Sequence, residues 1–139
     1  MTQEDKELLQ KDLCARSPYG LICSIYRIDD CNVGWRDEKL TGYFMIGTEY
    51  EFYFDESPIS IDNIFKIKPY LRPLSSMTEV EKLDYTSIDN RAYCCPQDFA
   101  HIPATDRIDW LNKRHFDYRG LIEKGLAIAV TEDNNPYKS

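Results

Sequence analysis

In residues 49–55, EYEFYFD, the side chains of Tyr50, Phe52 and Phe54 alternate with those of Glu49, Glu51, Tyr53 and Asp55. A period of two is that of a strand with one row buried and the other facing water. Residues 21–28, LICSIYRI, are apolar on nearly both faces and rich in β-branched and aromatic side chains, which predicts a strand at the centre of a sheet. Two further strand segments, 33–36 and 40–46, are expected to be broken at Asp37-Glu38, with turns at 29–34 and at Glu56-Ser57-Pro58. Ile61, Ile64 and Ile67 then recur every third residue, which predicts a short helical turn running into a last strand. Pro69 and Pro73 keep Tyr70-Leu71-Arg72 extended, because proline lacks an N–H and disfavours helix in the residue before it, and Tyr70 and Leu71 are expected to pin this connector to the core.

The flanks are helical in pattern. Thr2 and Asp5 have the spacing of a helix cap for residues 3–15, with Leu8, Leu9 and Leu13 near one face. Thr78 and Glu81 form a capping-box pair that predicts a helix from about Glu79 to Ser87. Pro96 and Pro103 argue against long helix in residues 88–103, where one short strand around 92–95 is expected. Thr105 or Asp106 can cap a helix running to about His115, with Ile108, Leu111 and His115 on one face, Trp110 beside it, and the sheet as its packing surface. Asp117 can cap a second short helix through Lys124, ended by Gly125 in the left-handed conformation, before a strand at 126–130 and a loose tail at 131–139.

These elements predict one α+β domain over residues 1–139. It comprises an N-terminal helix (1–18), a β-rich part (19–74), a helical part (75–130) and the tail. The β-rich part reads as a small SH3-like barrel, or alternatively an open antiparallel meander covered by packed C-terminal helices.

Charge sharpens this picture. The net charge is −7, and residues 29–62 account for it, with nine acids against Arg36 and Lys39. Such a patch repels a phosphate backbone, so direct nucleic-acid binding is not expected, whereas a protein with a basic surface is an expected partner. Five cysteines cannot all pair within the chain and its charged start, MTQEDKELLQ, is not a secretory leader, so a reducing cytoplasm is the expected home. The longest apolar runs are far shorter than the roughly 20 residues that span a bilayer, and no membrane role is expected.

KPYLRPLSSMTEVEK and RHFDYRGLIEKGLAIAV resemble a pair of signatures found in short proteins of gut anaerobes and their prophages or other mobile elements. The segment TQEDKELLQKDLCA resembles the usual start of those proteins, while the middle of the β-rich part and residues 87–103 diverge. That group has no assigned activity or site residues, so the resemblance implies an origin and a shared frame only.

Three constellations can carry chemistry. Glu49, Glu51 and Asp55, with Trp35, Tyr43 and Tyr53 nearby in sequence, would form an acidic-aromatic face for binding a basic partner. His115 and Asp117 could shuttle a proton while Arg114 and Arg119 grip a carboxylate or phosphate, as in a small hydrolase or transferase. The simpler reading makes Asp117 a helix cap and His115 a helix-end residue. Cys94-Cys95 with His101 could be a thiol–imidazole pair, with Cys94 or Cys95 as nucleophile, and Cys23 could approach Cys31 across a turn. Neighbouring cysteines chelate one ion poorly and no second Cys/His pair has zinc spacing, so neither a metal nor another cofactor is expected. No phosphate loop, dinucleotide fingerprint, nucleophile elbow or calcium loop is present. A third functional reading of the acids is imitation of nucleic acid, which requires two rows of carboxylates spaced like phosphates.

Overall fold

The computed structural model describes residues 1–28, 33–55, 57–94 and 102–137, with side chains described outside 87–94 and 102–106. Helix α1 (Gln3–Arg16) begins as its cap predicts, the Thr2 hydroxyl accepting from the Asp5 N–H at 3.1 Å. Leu9 and Leu13 are wholly buried. The chain then enters β1 (Ile22–Ile28), which pairs antiparallel with β2 (Val33–Lys39) on one side and with β6 (Ile67–Pro73) on the other, so β1 is central.

Strand β2 runs unbroken through Asp37 and Glu38, where the sequence suggests a break. Both acids are satisfied inside the sheet. Glu38 is buried and takes hydrogen bonds from Arg27 Nε and Nη2, both at 2.9 Å, while Asp37 on the other face accepts from the Tyr70 hydroxyl at 2.8 Å. The real corner is Leu40-Thr41. The Leu40 N–H donates to the Leu21 carbonyl in the first sheet, and the Thr41 N–H donates to the Tyr53 carbonyl in the second.

That second sheet is a meander of β3 (Gly42–Ile46), β4 (Glu49–Tyr53) and β5 (Ile59–Ser60). Gly47, at φ +65°, takes the first of the two turn positions joining β3 to β4, where a tight hairpin needs a left-handed residue. As the alternation of residues 49–55 predicts, Phe52 and Phe54 are buried. The isoleucine spacing also predicts the outcome well: Ile61–Lys66 is a 3-10 turn, Ile64 and Ile67 are fully buried, and β6 starts at Ile67.

β6 is the hub of the first sheet. Its first residues pair antiparallel with β1, and its last pair in parallel with β7 (Phe116–Asp117) and β8 (Ile128–Ala129). The sheet is therefore mixed rather than a pure antiparallel meander, because the chain leaves β6 through two helices and returns in the same direction. Among the described residues, no ladder joins the two sheets into a closed barrel. One core lies between α1 and the sheets, containing Leu9, Leu13, Leu21, Ile25, Phe52, Ile64, Ile67, Leu71, Leu121 and Leu126. Fully burying each such side chain contributes about 1.5–3 kcal/mol before entropy is counted.

Helix α2 (Glu79–Cys94) carries both halves of the capping box, Glu81 N–H to Thr78 Oγ1 at 3.2 Å and Thr78 N–H to the Glu81 carboxylate at 3.0 Å. It continues well past Ser87, so residues 92–94 are helical rather than a strand; helical propensity carries through a stretch whose nearest proline, Pro96, lies beyond its end. Helix α3 (Ile102–Lys113) starts earlier than expected, with Pro103 in its first turn, where a missing N–H is harmless. Its anchors are Trp110 and Leu111, and Ile108 is exposed. Trp110 stacks on Phe116 at 5.7 Å and meets Tyr85 of α2 at 5.5 Å, making a second, smaller core between the helices and β7. No helix among the described residues is long and apolar enough to cross a membrane.

Candidate functional site

Cross-strand partners share a face, and the register of β3 with β4 therefore sorts the expected binding residues. Glu49, Glu51 and Tyr53 stand opposite Ile46, Phe44 and Gly42. Tyr43 stands opposite Phe52 on the other face, with Tyr50 5.8 Å away. It is not part of the acidic face, because an odd spacing along a strand reverses the side chain. Asp55 lies beyond the end of β4 and accepts from the Lys39 N–H at 3.3 Å, which ties it to the corner between the sheets. Of the acids counted in the sequence, Asp37, Glu38 and Asp55 are thus held by internal hydrogen bonds. Among the described residues, no ion pair or hydrogen bond holds the side chain of Glu49 or Glu51.

The strand that pairs with these acids contributes as much to the surface, which the sequence pattern does not reveal. Tyr43, Phe44, Met45 and Ile46 are 44%, 60%, 47% and 54% exposed, four large apolar residues in succession on an edge strand. Single exposed apolar side chains are ordinary on a protein surface, but a contiguous run is not. The run is legible in the sequence as the apolar stretch 43–46, but a stretch of that composition reads as buried.

Trp35 lies on the first sheet. Its ring meets Tyr26 edge-on at 5.4 Å, and Lys68 Nζ sits 5.5 Å from its centre. With Phe65 and Lys66 these rings line an open pocket of about 220 Å³. A neighbouring pocket of about 420 Å³ shares Tyr26 and Lys66 and is also lined by Glu51, Asn63 and Ser60. Glu51 consequently stands where the β3–β4 face meets a groove leading to Trp35, which joins two residues far apart in sequence.

The His115–Asp117 region is built differently. The Asp117 carboxylate accepts the N–H groups of Leu121 and Ile122, each at 3.0 Å. It acts as a cap, as the sequence allows, although residues 118–125 form a run of turns ending at Gly125 (φ +74°) rather than a helix. His115 has φ +63° and its ring stacks on Tyr137 at 4.0 Å, 10° from parallel. Burial, with smaller contributions from the Arg16 and Arg72 guanidiniums, depresses its pKa to about 4, so the ring is neutral at pH 7. The hydroxyl of Tyr137 donates to the Tyr70 carbonyl at 2.8 Å and accepts from the Ile22 N–H at 3.0 Å. This histidine braces a sheet rather than facing a cleft with Asp117.

Beneath it lies a charge cluster that the sequence does not announce. Asp12 and Arg16 are wholly buried, Arg16 Nε reaching both Asp12 oxygens at 2.9 and 3.0 Å, and Arg119 adds a bond to Asp12 at 2.7 Å. Arg16 also donates to the Phe116 carbonyl. Leu9, Asp12, Leu13 and Arg16 occupy one i, i+3, i+4, i+7 stripe, the signal that could have revealed the pair. Cys23 is buried and its thiol is pushed well up by burial, while burial raises Cys14 to about 11, so both are poor nucleophiles. Cys31, Cys95 and His101 lie outside the described residues, and so do the pairings proposed for them. Among the described residues, no cluster of His, Cys, Asp and Glu has the makings of a metal site.

Comparison with family models, curated proteins and solved structures gives no match.

Proposed function

We propose that this chain is a non-enzymatic, cytoplasmic protein-binding module that recognises a basic partner through the β3–β4 face. One observation carries the reading: four consecutive exposed apolar side chains on β3 lie beside the unengaged carboxylates of Glu49 and Glu51. Apolar contact area supplies binding energy, and carboxylates at its border steer and select a cationic surface. The pocket lined by Glu51 extends this surface toward Tyr26 and Trp35. An SH3-like arrangement, open rather than closed, is the scaffold we infer. Its support is the order of strands, with a 3-10 turn before a last strand that returns beside the first.

Neither alternative gains comparable support. A hydrolase or transferase using His115 and Asp117 would need both side chains available, whereas Asp117 is engaged by two N–H groups and His115 is stacked on Tyr137. Imitation of nucleic acid would need carboxylates that internal bonds already hold at Asp37, Glu38 and Asp55.

The test is affinity capture from nuclease-treated host lysate. A basic protein should be retained at low salt, released as salt rises, and retained at least about tenfold less by Glu49→Lys/Glu51→Lys. Asp55 is left intact because of its structural bond. Equal retention by the doubly reversed variant would remove the acidic face from recognition.

A further inference from the structure

Strand β3 ends its sheet. Its ladder partner is β4, and among the described residues no strand pairs with its other side. An edge strand presents alternate N–H and C=O groups outward, ready to pair with another chain. Protective devices are common on such edges: an inward charge, a proline, a bulge or a lysine. The sequence of β3, GYFMI, has neither a charge nor a proline, and its apolar side chains are exposed.

Building on the proposed binding face, we infer that β3 accepts an extended segment of the partner as an added strand, and that this segment alternates basic and apolar residues. Residues directly opposite Phe44 and Ile46 would emerge on the face that carries Glu51 and Glu49. Adjacent strands are spaced about 4.8 Å, so an added lysine or arginine starts about 10 Å from the β4 backbone, within the joint reach of its own side chain and a glutamate's. Basic residues at every second position therefore meet the carboxylates, and the main chain provides the remaining bonds. A second copy of this chain is a poorer occupant. Its β3 offers no cation to Glu49 or Glu51, and it brings a further net charge of −7.

The experiment uses the full chain and three synthetic eight-residue peptides: alternating Lys and Val, the same peptide N-methylated along one strand edge, and alternating Glu and Val. The Lys/Val peptide is expected to bind, the N-methylated peptide at least about tenfold more weakly, and the Glu/Val peptide not detectably. The Glu49→Lys/Glu51→Lys variant should lose the Lys/Val peptide. Equal binding of the N-methylated peptide, still sensitive to charge reversal, would overturn strand addition while sparing the acidic face. Binding of Lys/Val and Glu/Val peptides alike would overturn the charge selection. Sedimentation showing a dimer that the Lys/Val peptide dissociates would assign the edge to a second copy and overturn the inference.

Discussion

His115 shows how a residue suited to catalysis serves structure. A non-glycine residue in the left-handed region costs about 1–2 kcal/mol, and the stack on Tyr137 and the surrounding burial hold it there. Its folded pKa of about 4 lies below the unfolded value of about 6.5, so between these pH values the unfolded chain binds more protons. Stability from this group is fully present above pH 6.5 and is lost as pH falls toward 4. His115→Asn tolerates the left-handed backbone and removes the titration, so its urea midpoint should vary less with pH across that window than the parent's. Identical slopes in parent and variant would show that another group controls it. The sequence places His115 near a helix end, which is where it lies, but cannot display Tyr137, whose ring arrives from 22 residues away.

At the scale of elements, local signals are legible in the sequence. The caps of α1 and α2, the 3-10 turn and the buried row of β4 all follow from residue types at fixed spacing. The misleading positions are those where a distant partner satisfies a polar group. Glu38 looks like a strand breaker until Arg27 is seen against it, and Asp12 looks solvated until Arg16 and Arg119 surround it. The Glu81 cap also has a distant partner. Hydrogen bonds from Arg72 at 2.6 and 2.7 Å, helped by the Thr78 N–H, hold its pKa at about 2. The carboxylate's contribution is therefore present above its unfolded pKa near 4.5 and disappears as pH falls toward 2. Glu81→Gln should cost about 1–2 kcal/mol at pH 7 and become nearly neutral at pH 2, as read by denaturant titration at both values. A constant penalty across that range would mean that packing, not charge, is lost.

For the whole molecule, the sequence locates the acidic segment but not its division of labour. Folding directs Glu38 inward, ties Asp37 and Asp55 to neighbouring groups, and leaves Glu49 and Glu51 beside the exposed strand β3. It also turns Tyr43 to the other face and carries Trp35 to a groove that reaches Glu51 through Tyr26 and Lys66. None of this is visible without the register, because one residue of slip along a strand exchanges the two faces. The most direct test is amide chemical-shift mapping of the isotope-labelled chain during titration with the captured partner. Binding at the proposed surface predicts the largest changes in residues 42–53, with smaller ones at Tyr26 and Trp35. Changes centred instead on residues 115–122, with residues 42–53 unmoved, would contradict it and shift attention to the region around His115 and Asp117.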